Sequence, residues 1–149
     1  TGPADPMVEA LLAAAIDRRI MVVVAEPPAG AASPGFAAGM DRVIRVRAAG
    51  QAATGSAGAD TGVITAPGID ILTTFPHGTY NFITGSSFAA ANVTGVIALL
   101  LQTRPELALA DVRLALDAAM IRDPASGGVD GLDACSALKH LDAAPHCTP

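Results

Sequence analysis

Apolar residues recur on one helical face through Met7, Val8, Leu11, Leu12, Ala15 and Ile16, and Asp5-Pro6 ahead of them supplies an N-cap followed by a proline at the first helical position. This predicts an amphipathic helix of about three to four turns ending at Arg18-Arg19. The pattern then changes. Ile20 to Ala25 is a continuous apolar run rich in β-branched residues, as expected of a parallel strand buried on both faces, and Glu26-Pro27-Pro28-Ala29-Gly30 stops it. Val43 to Val46 and Val63 to Ala66 predict two more strands, with Gly-, Ala-, Ser- and Pro-rich connections before each and Pro67-Gly68 closing the second.

Ile69 and Ile71 form a short alternating segment that leads through the loop Phe75-Pro76-His77-Gly78 to the serine turn Thr84-Gly85-Ser86-Ser87. A helix is expected from there to Arg104, where Pro105 stops it; it is apolar nearly all round, which places it in the middle of a domain. Another helix follows over Ala110 to Met120, with Leu109, Val112, Leu116 and Ala119 in register. Asp123-Pro124 and Gly127-Gly128 break it, and Leu132 to Leu141 predicts a short helix before a tail. The succession implies an α/β fold of about three parallel strands, with a buried central helix after the serine turn and flanking helices. So small a sheet leaves an open edge at its start. That edge and the opening on Thr1 rather than Met lead us to expect a fragment or processed product, with more of the fold upstream.

At 149 residues and 51% hydrophobic content, the chain is about one domain with enough apolar material for a core. A formal charge of −5 and scattered basic residues argue against a nucleic-acid or anionic-membrane surface. The run Gly95 to Leu101 is far short of the ~20 residues that span a bilayer, so no membrane span is expected. A bridge between Cys135 and Cys147 would pin the terminal region and place the protein in an oxidising compartment, secreted or periplasmic. Neither a metal nor a cofactor is implied, because the cysteines form no C-x-x-C pair and the carboxylates are dispersed.

The serine turn carries the chemistry. A serine behind glycine at the start of a helix sits among unpaired N–H groups at the positive end of the dipole, where a hydroxyl can attack a carbonyl and nearby donors can hold the oxyanion. The plain alternative is that Ser87 is an N-cap. A second alternative is an esterase, since Ser87, Asp123 or Asp130, and His140 run in α/β-hydrolase order, although Ala89 stands where that elbow needs glycine and no His-Gly-Gly run follows. His77 could be proposed as a local base but reads as a solvated loop residue, and His140 and His146 as terminal ones. Asn92-Val93-Thr94 matches a glycosylation sequon within a helix expected to be buried.

In ordered blocks, the sequence resembles the subtilisin family of serine proteases. Gly85-Ser86-Ser87-Phe88-Ala89-Ala90-Ala91-Asn92-Val93-Thr94-Gly95 is similar to that family's G-T-S-M-A-A-P-H-V-A-G, and Ala66-Pro67-Gly68 to its A-P-G. Ile20 to Gly30 stands where the family has V-V-V-A-A-A-G-N-x-G, and the helix before Pro105 and Asp111-Val112-Arg113 match in order and spacing. The resemblance covers the C-terminal half of the catalytic domain, residues 1–149, with residues 133–149 as an extra helix and tail.

It implies a peptide or protein substrate, Ser87 as nucleophile, the Ser86 and Ser87 region as part of the oxyanion hole, and substrate contacts at Gly2, Pro3, Ala25 and Glu26. The triad aspartate and histidine would lie in an N-terminal half absent from this chain, which leaves the isolated chain inactive. The oxyanion asparagine is replaced by Pro28, which has no N–H, or by Glu26, whose carboxylate would repel an oxyanion. A pseudoprotease used as a binding or structural module is the alternative that these departures raise.

Overall fold

In a computed structural model the described residues are 5–28, 30–31, 40–51, 62–122, 124 and 129–141, without the side chains of 129 and 130. Asp5 caps α1 (Pro6–Asp17), its carboxylate accepting from the N–H groups of Met7 at 2.9 Å and Val8 at 3.4 Å. The helix ends in a Schellman turn, in which Arg19 N–H donates to the Ile16 carbonyl at 2.9 Å and Ile20 N–H to that of Ala15 at 3.1 Å. Arg19 therefore occupies the left-handed position, with φ 62°. Glycine is relaxed there, whereas any residue with a Cβ costs about 1–2 kcal/mol.

Strands β1 (Val23–Ala25), β2 (Ile44–Ala48) and β3 (Val63–Ala66) form one parallel sheet in that order. The first is shorter than its apolar run because Ile20 belongs to the Schellman turn. The second is longer, since Arg47 and Ala48 pair with Thr65 and Ala66. Alternation sends Ile44, Val46, Ala48, Ile64 and Ala66 to one face, where Ala89, Val93, Ile97 and Leu100 of α2 (Ser86–Thr103) close the main core. On the other face Val24 and Val43 meet Ile16 of α1. Helices thus flank both sides, as an α/β fold requires.

Two expectations about burial are corrected. The apolar face of α1 packs only at its last turn, leaving Met7 73% and Leu11 65% exposed. Helix α2 is not buried all round: only a third of it is covered, because three strands screen one side, and Leu99 faces outward. It is long and apolar enough to cross a membrane by length and composition, but its Ala89-to-Leu100 stripe packs on the sheet.

Helix α3 (Leu109–Ala119) adds Val112, Ala115 and Leu116 to the same core. Asp111 accepts from the Ala108 N–H at 3.2 Å, and Arg113 ties α3 to the approach to β2 by donating to the carbonyls of Asp41 and Val43 at 2.6 and 2.8 Å. Two antiparallel hairpins were not expected. One joins β4 (Ile71–Phe75) and β5 (Thr79–Ile83); the other joins β6 (Met120–Arg122) and β7 (Val129–Leu132), where the α3 pattern had suggested helix as far as Met120. The first leaves Leu72, Tyr80 and Phe82 largely exposed on one of its faces.

Helix α4 (Ala134–His140) follows, with Asp133 as N-cap. The Ser136 hydroxyl donates to Asp133 at 2.6 Å and the Cys135 N–H at 2.9 Å, and these bonds hold its carboxyl below the usual aspartate range. A lowered folded-state pKa contributes stability above the ordinary value and loses it as pH falls through the folded one. Ser136→Ala is expected to raise the Asp133 midpoint and make α4 fray at a higher pH, followed by NMR titration of the carboxyl carbon. An unchanged midpoint would discard this account of the cap.

Candidate active site

The serine turn is assembled from segments that meet at the C-terminal ends of β2 and β3. Gly85, extended at φ 166°, is the residue before α2, so Ser86 and Ser87 are its first two helical positions. Ser87 is exposed, caps nothing, and its hydroxyl makes no hydrogen bond to another described residue. That removes the N-cap reading. Its position in the first helical turn leaves its own N–H without an intrahelical acceptor, at the positive end of an 18-residue helix.

The turn is held from beneath. Gly85 N–H donates to the Gly68 carbonyl at 2.7 Å, and Phe88 N–H donates to the Gly85 carbonyl at 3.0 Å. Asn92 is exposed rather than buried, and its side-chain amide donates to the Pro67 carbonyl at 2.8 Å, so the residue in the sequon ties α2 to the end of β3. Thr84 Oγ1 accepts from the Asp70 N–H at 3.0 Å, fixing the hairpin to the turn. The Phe88 ring lies beside Gly85, with Cδ2 3.8 Å from where a Cβ would be.

The two adjacent serines have separate duties. Ser86 is buried and its hydroxyl donates to Gln51 Oε1 at 2.7 Å, so that proton is engaged away from the oxyanion. The sequence shows no sign of this pairing, because Gln51 is 35 positions away. Among the described residues, the Ser87 hydroxyl has no hydrogen-bond partner.

At the end of β1, Glu26 donates its N–H to the Val46 carbonyl at 2.7 Å, and its nearly buried carboxylate lies 3.5 Å from Arg45 Nη1 and 3.6 Å from Arg47 Nη2. The parallel register places Ala25 opposite Val46, so all three charges share the sheet face opposite α2. Its charge is therefore engaged by two guanidinium groups. Breaking a buried pair leaves the partners uncompensated; Glu26→Ala is expected to cost about 3–5 kcal/mol in chemical denaturation, and a loss under 1 kcal/mol would mean that water already screens the cluster. Pro28 is exposed and, as proline, offers no donor.

His77 stands exposed at the tip of the β4–β5 hairpin with φ 65°, and His140 ends α4, also exposed; neither is hydrogen-bonded to Ser87. Asp123 and His146 lie outside the described residues, as do Gly2, Pro3 and the side chain of Asp130. Cys135 is disulfide-bonded; Cys147 lies outside the described residues. Among the described residues no group of three or more metal-binding side chains is present.

Comparisons with known proteins agree with one another on family and fold. The sequence profile of the subtilase family matches residues 7–133. Subtilisin DY of Bacillus licheniformis is 35% identical over 102 residues, 63% of this chain and 37% of that protein. M-protease of Shouchella clausii (strain KSM-K16) is 32% identical over 103 residues, 66% of this chain and 27% of that protein. The chain thus spans about a third of the length of these curated relatives. In three dimensions it is similar to the prenylagaramide maturation protease PagA, with a TM-score of 0.72 and 26% identity over 95% of this chain and 57% of that one.

Proposed function

The chain belongs to the subtilase family, and on that premise we propose that it is the nucleophile-bearing part of a subtilisin-like serine endopeptidase, completed by a segment that supplies a histidine base and an aspartate. The observation that carries this reading is the exposed Ser87 in the first turn of α2, without a capping duty, on a turn anchored to Gly68. In the proposed reaction Ser87 Oγ attacks the scissile carbonyl carbon while the supplied histidine takes its proton. The tetrahedral oxyanion then meets the Ser87 N–H. Collapse breaks the C–N bond, the histidine returns the proton to the leaving amine, and water hydrolyses the acyl-serine ester.

A complementary N-terminal half is supported by the surfaces left uncovered: the outer face of α1 and much of α2. Exposed apolar area of this kind favours a covering partner. The disulfide at Cys135 motivates an extracellular or periplasmic setting.

An alkyl fluorophosphonate tests the proposal by intact-mass labelling. The isolated chain is expected to label slowly, and the chain reconstituted with its complementary half rapidly and at Ser87. Rapid labelling of the isolated chain would refute the need for a supplied base. No labelling after reconstitution would favour a binding module without catalysis, consistent with Pro28 or Glu26 at the place of the family's oxyanion asparagine.

A further inference from the structure

A cavity of about 250 Å³ opens at the N-terminal ends of the strands, the end of the sheet remote from Ser87. Ile16, Met21 and Leu109 contribute its apolar wall, and Arg19, Arg42 and Glu106 its charges. The volume is below the roughly 300–1,000 Å³ of pockets for drug-sized ligands, which suits a molecule of amino-acid size.

The three charges differ in commitment. Arg42 is held by Asp17 at 2.7 Å. Arg19 and Glu106 form no ion pair among the described residues. Arg19 also occupies the left-handed position of the Schellman turn, φ 62°, so its side chain leaves the chain at the mouth of the cavity from a backbone that glycine would occupy without strain. One uncommitted cation, one uncommitted anion and an apolar wall are complementary to a zwitterion with an aliphatic body.

We propose that this cavity binds a free aliphatic α-amino acid, with its carboxylate on Arg19, its ammonium on Glu106 and its side chain against Ile16, Met21 and Leu109. The site is separate from the chemistry at Ser87 and stands whether or not that serine is active. Exposed charges give weak pairs, so affinity is expected on the order of millimolar.

L-leucine, 4-methylpentanoate and isopentylamine share one carbon skeleton and differ only in which charged group they carry. Titrated into the isotopically labelled chain, leucine is expected to shift the amides around Arg19 and Leu109 and to bind about threefold to fivefold more tightly than either analogue. Arg19→Gly, which relieves the backbone and so keeps the fold, should reduce leucine to the affinity of isopentylamine. Glu106→Gln should reduce it to that of 4-methylpentanoate. Leucine binding no more tightly than its analogues, or indifferent to both substitutions, would overturn the proposal, as would the absence of shifts at the cavity.

Discussion

Under the proposed function, replacing Ser87 by alanine in the reconstituted protein is expected to lower kcat by on the order of 10⁶, the scale known for loss of the nucleophile in a subtilisin, and to abolish fluorophosphonate labelling. The adjacent serine provides the internal control. Ser86 is buried and donates to Gln51 at 2.7 Å, so Ser86→Ala removes a structural bond and leaves Gln51 Oε1 without its donor. That costs about 1–3 kcal/mol of stability and less than tenfold in kcat. Steady-state kinetics beside a urea titration separates the two. Comparable kinetic losses in both variants would mean that Ser86 shares the chemistry; unchanged kinetics in Ser87→Ala would remove it as nucleophile.

The second large effect is expected at Gly68, which touches no substrate in the proposed mechanism. A Cβ there would stand 2.7 Å from the Ala48 Cβ, 2.9 Å from the Gly85 carbonyl oxygen and 3.0 Å from the Ala89 Cβ. No one of the three can yield alone. Ala48 belongs to the sheet, Ala89 to the core stripe of α2, and the Gly85 carbonyl accepts from Phe88 N–H in the first turn of the helix. Gly68→Ala is therefore expected to cost about 2–3 kcal/mol, and to displace Ser87 enough to reduce kcat by on the order of 10²-fold. Denaturation midpoint and kcat check the two parts. If both match the parent, the close approach is not holding the turn.

Gly68 also shows how far motif reading reaches. Ala66-Pro67-Gly68 was recognisable as a block, but the reason for its glycine appears only when β3 lies beside Ala48 and under Gly85. The β4–β5 hairpin is hidden for a different reason. Pro76 and Gly78 read as loop punctuation, and the flanking Thr-, Tyr-, Phe- and Ile-rich runs, which are strand formers, are too short and polar to stand out beside the serine turn. Helical periodicity continues through Met120, but its pairing with Leu132 ends the helix at Ala119. Glu26 was legible as a departure at the oxyanion position, but not its engagement with Arg45 and Arg47, which are contacts across a strand pair.

By itself the sequence determined the cap and start of α1, the run of β3, the helix after the serine turn and the family of the nucleophile block, because each is carried by neighbouring residues through periodicity, capping or a contiguous motif. Tertiary structure decided which serine hydroxyl is free, what holds the turn, where the acidic charge of Glu26 points and which faces of α1 and α2 are covered. These depend on groups such as Gln51, Gly68 and Arg47, brought into contact only by packing three strands against helices. Distance along the chain does not encode which of two adjacent hydroxyls finds a partner.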